Sequence, residues 1–423
     1  LTATIIGNNN PICIGSDAIF TLSGTNGATV TYTVNGGGNQ FVVLTGGTAT
    51  VTITGPVADQ TLVLVSMSLG ACSSTISGTS TVTVNAANVW TGAVDNLWST
   101  LGNWSCGILP NASTDVVINS GTVQVSGINA LASSVSLNGT AVLMVNSGNN
   151  ITVTNAVNVA PGASFVLQNN ANLVQVNNVT NSGNITVNRN SSALMRLDYT
   201  LWSSPVASQN LLSFSPQTLT NRFYVYNSAT NLYSAIAPGS NAFQVGKGYL
   251  IRMPDNHPVT PTVWNGVFNG VPNNGTINLS MYNGGAGLGY NAVGNPYPSP
   301  VSMTNFVNGN AGNITGTLYF WRKTNNAATE PGYCTWTTAG FVSNGEAQVV
   351  NPNGILRTGQ GFIVEMTGGA TSLSFTNAMR STDTANQFFK NAEETTMLTG
   401  DRIWLNISNA SGADNQMLVG YFS

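Results

Sequence analysis

The sequence predicts an all-β chain: an immunoglobulin-like sandwich, then a short parallel β-helix, then a larger, jelly-roll-like β-sandwich. Three observations predict it. Charged residues make up only 6% of the chain, against roughly a quarter in a typical soluble domain, so neutral groups carry the polarity. Short runs of Thr, Val and Ile alternate with polar residues, and the 46 glycines cluster with Asn between the runs, where tight turns need positive φ. Charge is also unevenly placed. All eleven basic residues lie from Arg189 onward, and before it only Asp17, Asp59, Asp95 and Asp115 are acidic, which marks a change of architecture near residue 190.

Residues 1–87 form the first module. Alternating runs at Thr29–Val34, Thr48–Ile53 and residues 61–65, separated by turns such as Gly36-Gly37-Gly38 and Gly46-Gly47, give the spacing of an immunoglobulin-like sandwich. Cys13 precedes the first run and Cys72 follows the fifth, so a disulfide between them is expected to tie the N-terminal segment to the sheet; two buried thiols are the alternative.

Residues 88–195 combine a Trp-rich cap with a β-helix-like stack. Trp90, Trp98 and Trp104 lie close together in sequence. Such rings plug the open end of a repetitive β structure, or stack on sugars. Beyond them, strand-like runs of three to five residues recur with Asn-Gly, Ser-Gly and Pro-Gly corners. Stacked rungs fit this pattern, with a meandering sandwich as the alternative. Corners stacked about 4.8 Å apart would set like charges in register, so the absence of Lys and Arg is in keeping, and Asn side chains can form ladders there.

Residues 196–390 change texture. Aromatics, Arg and Pro come together in Tyr199-Thr200-Leu201-Trp202-Ser203-Ser204-Pro205, Gly246-Lys247-Gly248-Tyr249, Gly294-Asn295-Pro296-Tyr297-Pro298-Ser299, Leu318-Tyr319-Phe320-Trp321 and Gly359-Gln360-Gly361-Phe362. These read as strands of a larger sandwich with long loops. Helix is expected only around residues 302–307 and 386–397. Residues 391–423 are the closing hairpin of that domain or the start of a next module. The start at Leu1 and the strand-like run 417–422 just before Ser423 read as an excerpt of a longer, processed polypeptide.

Taken in order, these motifs, with Asn377-Ala378-Met379-Arg380, resemble a region common in large secreted proteins of Flavobacterium and its relatives. Those proteins are exported by the type IX secretion system, and many are cell-surface adhesins or gliding-associated filaments. The resemblance covers about residues 88–423, while the N-terminal module looks like a repeat of bacterial surface proteins. It implies an extracellular, cell-surface location and a non-catalytic structural or adhesive role. The implied partners are the secretion machinery during export, then surface polysaccharide or other cells. The sorting domain with which such proteins usually end is not placed before Ser423. Asp383-Thr384-Ala385 matches the short pattern on which these bacteria attach O-glycans, making Thr384 a candidate; an ordinary loop is the alternative.

Chemistry has few residues to work with. His257 is the sole histidine, which excludes sites needing two imidazoles, and it is expected to be an exposed loop residue. Glu393-Glu394 is the one adjacent carboxylate pair, Glu346 and Glu365 are isolated, and a glycosidase needs a facing pair. Residues 1–188 hold no Lys or Arg, which argues against a lyase site on the β-helix. An enzyme is therefore not expected, and neither is nucleic-acid binding at a net charge of −3. No apolar run approaches the ~20 residues of a membrane-spanning helix. No metal or cofactor is expected, with calcium at Asp95-Asn96, Asp255-Asn256 or Asp414-Asn415 as the alternative. Cys106 and Cys334 are either bridged across a long loop or left as thiols. The second functional reading is the carbohydrate-binding region of a secreted multidomain enzyme, with Trp202, Trp264, Trp321 and Trp336 as stacking candidates.

Overall fold

The computed structural model describes residues 1–285, 287–322, 332–345, 349 and 351–385, and the backbone of strands Arg402–Ser408 and Asp414–Gly420. The fold is all-β and contains a β-solenoid of about three turns. The expected helical segment 386–397, Glu346, the pair Glu393-Glu394 and the side chains of Asp414-Asn415 lie outside the described residues.

The N-terminal module is a two-sheet sandwich. One sheet runs in the order Ala3–Asn8, Ala18–Gly24, Thr48–Ile53; the other contains Gln40–Val43, Thr29–Val34, Gln60–Leu69 and Cys72–Thr75, with Thr79–Val82 also on Gln60–Leu69. Strict alternation places Phe20 and Leu22 against Val30, Leu62 and Leu64 in a closed core, while the intervening Thr and Ser residues face outward. Ile12–Cys13 lies parallel to Val84–Asn85, the segment that leaves the sandwich for the Trp-rich cap. This geometry decides the disulfide. Cys13 is bonded to Cys106, with a Cα–Cα distance of 5.7 Å, which corrects the expected Cys13–Cys72 bridge and rules out the alternative between Cys106 and Cys334. Cys72 is an exposed thiol where Gln60–Leu69 turns into Cys72–Thr75, and Cys334 is a buried thiol in Tyr333–Thr337, near the Phe320 carbonyl.

The solenoid has three parallel faces. Val116 lies beside Val135 and Val135 beside Val157; Val123, Leu143 and Phe165 form a second stack; Ala130, Ile151 and Leu173 form a third. All nine side chains are buried. Corners carry amide ladders: Asn150 donates to Asn129 at 3.0 Å and Asn172 to Asn150 at 2.8 Å. A neutral amide both donates and accepts, so it can repeat along the axis where a charge cannot. At the far end Gln175 and Asn181 exchange two 2.8 Å hydrogen bonds, satisfying polar groups that a further rung would have covered. Trp90, Trp98 and Trp104 close the near end, with edge-to-face contacts of 5.0 and 4.8 Å onto Trp104. Their burial fits the plug rather than a sugar platform.

The solenoid and the sandwich share a strand. Ile185–Leu194 lies between the two, parallel to Ser164–Leu167 on one edge and antiparallel to Thr262–Gly270 on the other, and one hydrophobic core runs from Trp90 to Met379. The sandwich beyond is built from two larger sheets. One has the order Tyr199–Trp202, Tyr249–Arg252, Phe223–Asn227, Leu232–Ala235; the other Tyr290–Gly294, Gly361–Met366, Ile314–Trp321, Tyr333–Thr337, Gly340–Val342. The expected short helix is present at Met303–Gly309, capped by the Ser302 side chain. Arg402–Ser408 and Asp414–Gly420 form an antiparallel hairpin that, among the described residues, pairs with neither larger sheet.

The Gly-Asn-Pro-Tyr-Pro-Ser motif is a buried joint between solenoid and sandwich. Asn295 is fully buried, and its amide donates to Ser299 O at 2.8 Å and Arg357 O at 3.1 Å. A Cβ on Gly294 would lie 2.3 Å from that of Ser203, so only glycine fits this approach. Leu173 N donates to Pro298 O at 2.9 Å. Arg380 stacks over Tyr297 at 4.7 Å and donates to Ser299 Oγ, Asn274 Oδ1 and Leu173 O at 2.8, 3.0 and 2.6 Å.

Candidate functional site: an aromatic cleft

Alternation along the sandwich strands sends large apolar side chains inward and tyrosines outward on the opposite face. Tyr224 and Tyr226 are two residues apart on one strand, as are Tyr319 and Trp321 on another, so each pair shares a face. Cross-strand pairing widens the patch: Tyr226 faces Tyr233, Trp321 faces Tyr333, and Tyr319 faces Ile363. Leu201, Tyr226, Leu250, Ala292 and Ile363 form its buried floor, and half-buried tyrosines with Trp321 lie around it.

These side chains enclose an open cleft of about 500 Å³ between the two sheets, with Asn231 and Leu232 at its rim. That volume is within the range of small-ligand pockets. The rings meet edge to face: Tyr226–Tyr233 at 5.3 Å, Tyr233–Trp321 at 6.4 Å, Trp321–Tyr333 at 5.3 Å and Tyr290–Tyr319 at 5.8 Å. Edge-to-face packing holds each ring through its neighbour and keeps ordering costs low on binding. The Tyr233 and Tyr333 hydroxyls are 3.0 Å apart, and the Tyr226 hydroxyl donates to Asn231 Oδ1. Among the described residues, no lining side chain carries a formal charge. Glu365, the cross-strand partner of Tyr290, is the nearby carboxylate.

Burial governs the phenols electrically. It pushes Tyr226 up to about 12, reinforced by Tyr333 and Tyr290, and pushes Tyr319 up to about 12, reinforced by Tyr290. Burial also raises Tyr233, with the neighbouring Tyr333 phenol adding to it, and raises Tyr333 itself. The sign of the linkage follows. A phenol ionises near 10 in the unfolded chain and later in the folded one. Its contribution is therefore complete below about pH 10 and is lost as pH rises toward 12. Absorbance titration at 295 nm, run with melting curves, should show a late class of tyrosines and a Tm that falls steeply between about pH 10 and 12. Tyrosines that all ionise together near 10 would contradict this environment.

Of the stacking candidates read from sequence, only Trp321 lines the cleft. Trp202 and Trp336 are buried, at 0% and 6% exposure, which corrects their expected role: each belongs to the main core. Trp264 is half-buried and packs edge-on against Trp202 and Phe214. His257 is also buried, not exposed as expected, because its Nε2–H donates to the carbonyls of Leu194 and Thr262 and pins the end of the long shared strand. Asp95 already accepts from Leu97 N, Thr100 Oγ1 and Asn103 Nδ2, and those donors hold its carboxyl below the usual range. Asp255 is paired with Arg252 at 2.9 Å. Thr384 is half-buried, next to Asp383, which is itself paired with Arg357. The tyrosines Tyr226, Tyr233, Tyr290 and Tyr333 were not singled out from sequence as ligand-facing. The readable signal was aromatic spacing of two within a strand, as in Tyr224/Tyr226 and Tyr319/Trp321.

Fold and cleft together define an all-β protein in which a capped solenoid is fused to a sandwich that opens an aromatic cleft to solvent. The chain belongs to the family described as domain of unknown function DUF8693, whose sequence model matches residues 89–423. The match begins where the N-terminal sandwich ends. No curated protein matches the chain.

Proposed function

We propose that this chain is a non-catalytic structural and adhesive segment of a secreted, multidomain cell-surface protein. The observation that carries the reading is the aromatic cleft, presented on a β-frame that shares one core from the Trp-rich cap through the sandwich. Rigid elements hold a contact surface better than loops do. A disulfide between the N-terminal sandwich and the cap suits an oxidising, extracellular setting. Passage through the type IX machinery belongs to the same reading and draws on the ordered motif series, as do a surface polysaccharide or another cell as the partner and an O-glycan at Thr384. The same cleft also supports the second reading, a carbohydrate-binding region attached to an enzyme encoded elsewhere in the parent chain.

The test is adhesion under flow. Microspheres coated with the whole chain are drawn over bacterial lawns, polysaccharide films and an albumin film, and retention against shear is counted. An adhesive segment is expected to be retained on at least one lawn or polysaccharide film well above albumin. Retention at the albumin level on every surface would overturn the reading.

A further inference from the structure

We infer that the cleft between Tyr226, Tyr233, Tyr319, Trp321 and Tyr333 is a binding site for a neutral glycan, taken up along an uncharged, ring-walled trough. This deepens the adhesive reading and rests on it. Three observations carry the ligand class. Six of the nine lining residues are aromatic, and ring faces suit the C–H-rich faces of pyranoses as they suit other flat apolar surfaces. The polar atoms in the cleft are phenol hydroxyls and the Asn231 amide. These can donate and accept, matching sugar hydroxyls that do both. Among the described residues the lining has no cation to neutralise a uronate, sulfate or phosphate, and Glu365 beside Tyr290 would repel one. An acidic polysaccharide is therefore disfavoured.

Rigidity supports the same assignment. Tyr233 is held by ring contacts to Tyr226 and Trp321 and by its hydroxyl contact to Tyr333, so the wall exists before ligand arrives. Leu232 is 64% exposed at the rim, with its backbone fixed by pairing opposite Asn227. That places an apolar side chain where an extended oligosaccharide would leave the trough.

Isothermal titration with the whole chain tests the inference, using cellohexaose, laminarihexaose, xylohexaose and mannohexaose as neutral probes and hexagalacturonate as the acidic one. Saturable binding of at least one neutral hexasaccharide is expected, with a shift in Trp fluorescence, and at least tenfold weaker binding of hexagalacturonate. Trp321→Ala is expected to weaken the neutral ligand at least tenfold, in the range of a buried aromatic anchor. Because Trp321 also packs against Tyr333, Leu232→Arg serves as a second variant. It lies at an exposed rim position, should leave the circular dichroism spectrum and Tm unchanged, and should still weaken binding several-fold by crowding the mouth.

Neutral binding unaffected by either variant, equal binding of hexagalacturonate, or no neutral binding would overturn the inference. Retention of the Leu232→Arg microspheres separates this failure from that of the adhesive reading. If they adhere as strongly as wild type while no hexasaccharide binds, the cleft assignment falls and adhesion by another surface stands. If neither variant nor wild type adheres anywhere, the adhesive reading falls as well.

Discussion

Replacing Cys13 and Cys106 together by serine is expected to destabilise the chain by about 4 kcal/mol, because the bond joins residues 93 apart and so closes a long loop. The span contains the N-terminal sandwich except its first strand, Ala3–Asn8. Releasing it returns the conformational freedom of that loop to the unfolded state, and it also frees Ile12–Cys13 to leave its short parallel pairing with Val84–Asn85. For a module of this size each kcal/mol moves the melting point by several degrees, so a drop of roughly 20 °C in the sandwich transition is expected. Calorimetry of the double variant should separate that transition from the solenoid's. Cys72→Ser is the control: its thiol is exposed, and its replacement should change Tm by less than a degree or two. A double variant melting together with wild type would show that packing, not the bond, holds the junction.

Arg380→Ala is expected to cost about 4 kcal/mol, the other large effect in the molecule. Arg380 is buried, and its guanidinium serves the solenoid through Leu173 O, the proline-rich turn through Ser299, the neighbouring loop through Asn274, and the Tyr297 ring by stacking. Truncation leaves a carbonyl and two side chains without their donor in a dry joint, and such orphaned groups carry the full penalty of desolvation. Lysine should recover only part of the loss, since a compact ammonium cannot span three acceptors and lie flat on a ring. Hydrogen exchange gives the local readout. Protection should fall first at the Leu173 amide, which bonds Pro298 O, while amides of the N-terminal sandwich stay protected. Uniform loss across the chain would mean that the joint is not a separate point of weakness.

Both predictions fall on joints, and joints were the hardest part to read in advance. The pattern of residues 115–188 pointed to stacked, neutral strands, because a period of two and a lack of like charges are properties of each strand alone. The Gly-Asn-Pro-Tyr-Pro-Ser motif was visible as a motif. That it is the seat of the solenoid on the sandwich was not, since its partners Leu173, Arg357 and Arg380 lie far away along the chain. The texture changes just after Ile185–Leu194, yet that strand already belongs to both parts. The strand has a parallel rung on one edge and an antiparallel sandwich strand on the other, so it joins the two parts sideways and no change along its own residues marks the joint.

The candidate site shows the same division. Trp202 and Trp336 attracted attention as large exposed-looking rings and proved to be core residues, whereas tyrosines that looked ordinary in the sequence line the cleft. A strand's alternation tells which residues share a face but not which face meets water, and only the packing of the second sheet settles that.

What the sequence by itself determined is the all-β class, the near-neutral character of the first half, and the place where basic residues begin. Those features are local: they depend on period, turn residues and the electrostatics of identical neighbours. The tertiary structure alone decided which cysteine Cys13 meets, which aromatic rings reach solvent, and that solenoid and sandwich share one core. Each of these depends on the distance between segments many residues apart, which is set by how whole sheets pack and not by any spacing along the chain.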